Sequence, residues 1–137
     1  MYNMEFKDSI AQIFNVGKIE NSLIIAILKG HPILNEWYAK SLAGRDNLTL
    51  EQHTMFVMEN FEKYFVRNTL LFSSNYFKFF LALHDIGKPK AILMGDSERQ
   101  HEFSVEIIDS VFGTEYSEDF FKRIKVFIDV DPIGKFG

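Results

Sequence analysis

The segment "LALHDIGKPK", Leu81 to Lys90, sets a histidine and an aspartate side by side at the end of an apolar run and follows them at once with Gly-Lys-Pro. A carboxylate in an apolar setting carries a large desolvation cost unless something compensates it, and a bound divalent cation is among the few compensators strong enough. Imidazole and carboxylate both ligate such a cation, so His84 and Asp85 read as candidate metal ligands. A second reading stands beside the first: the helix dipole favours a histidine at a helix C-terminus, and an aspartate caps or pairs locally. The chain has four histidines, His31, His53, His84 and His101, and no cysteine. Any metal is therefore held by His, Asp, Glu or water, and disulfides, thiolate zinc sites and cysteine nucleophiles are excluded.

Helices must position these residues, because nearly every segment carries a helical rather than a strand period. In "MEFKDSIAQIF" the side chains Phe6, Ile10, Ile13 and Phe14 share one face. "IENSLIIAILKG" ends at a glycine, and Pro32 separates it from "ILNEWYAKSLAG", which gives way to the polar "RDN" loop. Thr49 to Gln52 has the form of a capping box and starts a long helix running to about Val66, with His53 near its first turn. After a connection in "NTLLFSSN", Asn75 opens "YFKFFLALHDIG", a helix apolar nearly all round and so buried on most sides. Phe77, Phe79 and Phe80 in it are core. Gly87 is expected in a left-handed cap and Pro89 to discourage further helix. Beyond lie a short element, a turn at Gly95-Asp96-Ser97, a helix ending at Gly113, and a last helix capped by Ser117, "EDFFKRIKVFIDVD", closed by Pro132 and Gly134. The reading is an all-α single domain of six or seven helices.

At 137 residues the chain is long enough for one core and too short for two. A formal charge of −4 argues against a broad electrostatic grip on a nucleic-acid backbone, though not against a small basic pocket. The N-terminus lacks the basic stretch and apolar run of a secretory signal, and the longest apolar stretch, "LIIAIL", is far shorter than a membrane span. A cytoplasmic protein without a membrane partner is expected. The chain stops soon after "DPIG", which reads as a fragment lacking a further C-terminal element.

Three phrases carry a wider pattern: His53 in "TLEQHTMFV", the doublet in "LALHDIGKP", and an aspartate in "VFIDVDPIG". With them, from about Leu48 to Gly134, the chain resembles the HD superfamily of metal-dependent phosphohydrolases, an all-helical family named for adjacent His-Asp ligands. "HDIGKP" followed by a Gly-Asp turn and "RQHEFS" is similar to the HD domains associated with tRNA nucleotidyltransferases. The resemblance implies an HD-domain-like helical bundle in which His53, His84, Asp85 and Asp131 ligate a divalent metal ion. Asp129 is the alternative for the last position: it sits on the regular part of the helix, and residues two apart on a helix point in different directions.

The resemblance further implies that Lys88, just past a helix end, reaches a phosphoryl oxygen, and that His101 orients substrate or donates a proton to the leaving group. Arg99 is a second candidate for substrate binding. His31 lies outside the matched region and reads as a loop or helix-start residue. Imidazole and carboxylate suit Mn, Fe, Co, Ni, Zn or Mg. The implied activity is hydrolysis of a nucleotide or other small phosphoester, with RNA ends among the family's substrates. The alternatives are a non-catalytic HD-fold module that binds metal and a nucleotide or RNA end, and a structural domain whose His and Asp residues merely cap helices.

Overall fold

The computed structural model describes residues 4–15, 17, 19–42, 48–64, 74–113 and 128. Its elements are α1 (Met4–Asn15), α2 (Asn21–Leu28), α3 (Pro32–Tyr38), α4 (Leu50–Tyr64), α5 (Ser74–His84), α6 (Lys88–Met94), a single 3-10 turn at Ser97–Arg99, and α7 (Gln100–Phe112). The helices build an all-α bundle, and among the described residues the only β pairing is an isolated antiparallel bridge between Ser41 and Thr49. None of these helices is long and apolar enough to cross a membrane.

The bundle is organised around α5, as its all-round apolar character requires. Phe79, Phe80, Leu81, Ala82 and Leu83 are all buried, and α5 touches α1, α2, α4 and α7. The α1 face predicted from its spacing is the buried one: Phe6, Ile10 and Ile13 are in the core. Phe14 packs on Phe79 with ring centroids 5.2 Å apart, while Phe112 of α7 bridges Phe6 at 6.1 Å and Phe79 at 6.2 Å. From α3 the fully buried Tyr38 donates its hydroxyl hydrogen bond to the Ala82 carbonyl of α5. His31 caps α3, its Nδ1 accepting from the Ile33 N–H at 3.2 Å, which is the helix-start role expected of it.

The capping box forms in both directions. The Gln52 N–H donates to Thr49 Oγ1 at 3.2 Å, and the Thr49 N–H donates to Gln52 Oε1 at 2.9 Å. It fixes where α4 begins and therefore which turn carries His53. α4 then runs antiparallel to α5. Near its end Phe61 stacks on Phe77 at 4.4 Å and Glu62 binds Lys78 at 2.9 Å, while near its start His53 meets Asp85. Lys78 is only 1% exposed, and its ammonium is satisfied by Glu62 and by the Ile19 carbonyl at 3.0 Å. Asn21 of α2 donates to the other Glu62 oxygen at 3.3 Å, so one polar cluster ties α2, α4 and α5 at the end of the bundle away from His53.

Gly87 departs from expectation. Its backbone is right-handed, with φ −85° and ψ −6°, and it is the residue before α6 rather than a left-handed cap. Pro89 then sits in the first turn of α6, where its missing N–H and fixed φ suit a helix start. The left-handed position comes eight residues later, at Gly95 with φ +66°, which ends α6 inside the turn predicted there. The expected final helix, with Ser117, Pro132 and Gly134, lies outside the described residues except for the buried Ile128.

Candidate functional site

His84 ends α5 and Asp85 opens the turn that follows, and both are buried, with side chains 8% and 11% exposed. The first turn of α4 brings His53, 17% exposed, from the neighbouring helix. Both imidazoles close on one carboxylate oxygen. His53 Nε2 stands 3.1 Å and His84 Nε2 3.2 Å from Asp85 Oδ2. The other oxygen, Oδ1, accepts from the side-chain amide of Gln100 at 2.8 Å.

The protonation of His84 follows from its other nitrogen. Nδ1 lies 2.6 Å from the Leu81 carbonyl oxygen, which only accepts, so Nδ1 carries a proton. In the neutral imidazole Nε2 is then a bare lone pair facing an anionic oxygen at 3.2 Å. That contact is repulsive unless a second proton or a cation lies between the two atoms. A backbone carbonyl on Nδ1 with Nε2 left as donor atom is also the arrangement typical of metal-ligating histidine.

As placed, the three side chains close on one another, and among the described residues no group of three or more His, Cys, Asp or Glu side chains is disposed to hold a metal ion. The chemistry of the donor set nevertheless fits one. Ligand bonds of about 2.1 Å imply neighbouring ligand atoms about 3.0–3.4 Å apart, the range in which both Nε2 atoms stand from Oδ2. The residue expected to complete the set, Asp131 or its alternative Asp129, lies outside the described residues.

Burial alone would push the Asp85 carboxyl up. When His84 carries the second proton, in the absence of a cation, its charge, the hydrogen bonds from His84 and His53 and the nearby Lys88 ammonium outweigh burial and hold the group well below the usual carboxylate range. Lys88 is half-buried at the start of α6, its N–H bonded to the Asp85 carbonyl at 2.9 Å. His101 is half-buried in the first turn of α7, one residue beyond Gln100. Arg99 directs its guanidinium elsewhere: it forms two bonds to Glu102, at 2.9 and 3.2 Å, and lies 4.6 Å over the Phe103 ring.

Two residues that the sequence shows only within "RQHEFS", with no role of their own, hold this turn in place. Gln100 binds the carboxylate, and the fully buried Ser104 accepts from the Gly87 N–H at 2.8 Å and donates to the His84 carbonyl at 3.3 Å. Both continue the stripe of α7 that buries Phe103, Ile107, Ile108 and Val111, so a polar side chain on an otherwise apolar helical face is the signal that marks them. The same contact explains Gly87. A Cβ there would stand 2.3 Å from the Ser104 backbone nitrogen and 2.5 Å from the Gln100 carbonyl oxygen, so α7 approaches the turn as closely as it does only because that atom is missing.

Gly87→Ala is therefore expected to lower stability by about 2–3 kcal/mol, measured by urea unfolding, because both obstacles are backbone; an unchanged midpoint would contradict the close packing. Asp85 also gives a pH signature in metal-free protein. Its folded value lies below the unfolded one of about 3.9, so its contribution is complete at about pH 5 and is lost as the pH falls through the folded value. Unfolding of wild type and Asp85→Asn should show a stability gap that narrows from about pH 5 to pH 3, and a gap that widens would refute the assigned direction. No family model, curated protein or solved structure matches the chain.

Proposed function

We propose that this chain is a cytoplasmic metal-dependent phosphohydrolase of the HD type, acting on a nucleotide or another phosphoester, RNA ends included. The observation that carries the reading is the convergence of two imidazole Nε2 atoms on a single buried carboxylate oxygen, at 3.1 and 3.2 Å, with a lysine at the adjoining helix start. His53, His84 and Asp85 would hold the divalent cation, with Asp131 or Asp129 as the further ligand. Mn, Fe, Co, Ni, Zn and Mg all suit this donor set. When bound, such a cation makes water acidic enough to supply hydroxide near neutral pH and polarises a phosphoryl oxygen.

The remaining roles belong to the chain itself. The Leu81 carbonyl holds the His84 ring with Nε2 turned to the site. Lys88 supplies a positive charge beside the carboxylate, suited to a phosphoryl oxygen as charge builds on it. His101 serves as the group that hands a proton to the leaving oxygen. Arg99 stays a candidate for substrate binding only if substrate displaces Glu102 from its guanidinium.

The test is turnover of phosphomonoesters, phosphodiesters and nucleotides by metal-free protein reloaded separately with Mn, Fe, Co, Ni, Zn and Mg. Metal-dependent release of product is expected, with kcat about 10²-fold lower in Lys88→Ala and no turnover in His84→Ala. Folded, metal-loaded protein that binds nucleotides but hydrolyses none of the panel would overturn the enzyme reading in favour of a binding module.

A further inference from the structure

We infer that Gln100 is a positioning residue that makes Asp85 a one-oxygen ligand, reserving Oδ2 for the metal and tying Oδ1 to the protein. The inference rests on the metal-centre reading of the site and concerns a residue outside its ligand set.

The two Asp85 oxygens are treated differently by their surroundings. Oδ2 faces both imidazoles, whereas Oδ1 accepts from Gln100 at 2.8 Å. A carboxylate oxygen has no proton to give, so the amide presents its NH₂ side, and the opposite flip would set two acceptors against each other. This bond is made from α7, not from the turn that carries Asp85, and so it fixes the rotation of the carboxylate against an independent element. The backbone that carries the amide is firmly anchored. The Gln100 carbonyl packs where a Gly87 Cβ would stand, and one turn later Ser104 bonds to both Gly87 and His84. The backbone position from which the side chain reaches Asp85 is thus set by close packing against the turn.

The coordination chemistry follows. An unrestrained carboxylate turns both oxygens to a cation when the site has room, the habit seen with large oxygen-seeking ions, whereas a carboxylate held by one oxygen favours compact sites with imidazole co-ligands. Outer partners of this kind change metal affinity about 10–100-fold when removed. Gln100→Met keeps most of the side-chain volume and removes the donor. Freed of it, Asp85 is expected to engage through both oxygens and so to raise the coordination number of the metal.

Co²⁺ reads that number directly, because its visible absorption weakens as coordination number rises. The experiment is Co²⁺ titration of the full chain as wild type and Gln100→Met, with Gln100→Ala as a second variant should the first lose its helical circular dichroism. Expected is a visible band in wild type that loses intensity at saturation in the variant, alongside Co²⁺ affinity lowered about 10–100-fold. An unchanged band at saturation, whatever the affinity, would overturn the inference, because a purely packing role alters binding strength without altering coordination. Wild type that takes up no Co²⁺ would instead remove the metal-centre reading, and this inference with it.

Discussion

A carboxylate buried at the end of the central helix is the constraint around which the molecule is arranged. Asp85 has little access to water, and in that setting its charge persists only if other groups replace the lost hydration. Three elements supply them: α4 brings His53, the end of α5 brings His84, and α7 brings Gln100. Each of these elements is placed by contacts that have no part in chemistry. The capping box sets the start of α4, the missing Gly87 side chain lets α7 come close, and the enclosed α5 carries the turn between them. The site is thus a consequence of how three helices meet, and a change at any one junction alters the surroundings of the same oxygen atoms.

The antiparallel pairing of α4 and α5 places polar groups at both ends of one apolar seam. At one end the buried Lys78 is satisfied by Glu62 and the Ile19 carbonyl. At the other lies the Asp85 cluster. Between them the seam is aromatic and aliphatic, with Phe61 against Phe77 and Met58 buried. A one-residue slip of this pairing would separate both polar clusters at once and leave two buried charges without partners, so the clusters specify register. The two ends differ in what they leave available. The Lys78 ammonium has its carboxylate and carbonyl, whereas at the other end two imidazoles face one oxygen of the same carboxylate.

Much of this was legible in the chain. Helical periodicity located α1, α5 and α7, the Thr49–Gln52 signature located the start of α4, and the all-round apolar character of the segment before His84 identified the central helix. The family resemblance sets His53 beside the doublet, and His53 Nε2 stands 3.1 Å from Asp85 Oδ2. Other features were not legible because they depend on distant packing. Gly87 was read through its commonest local role, a left-handed cap, when its use is to admit the backbone of α7. Gln100 and Ser104 are ordinary polar residues until the face of α7 on which they fall is known to lie against the turn. Lys78, a lysine in a phenylalanine-rich helix, becomes intelligible only beside Glu62.

The most direct measurement is the state of the His84 ring, read by ¹⁵N NMR of histidine-labelled protein at pH 7.5, first metal-free and then with Zn²⁺. If the cluster is a metal centre, Zn²⁺ will shift the Nε2 resonances of both His84 and His53 into the metal-bound range while Nδ1 of His84 keeps its proton to the Leu81 carbonyl. A His84 ring that is doubly protonated at this pH and indifferent to Zn²⁺ would contradict it, and would make the buried doublet an internal ion pair.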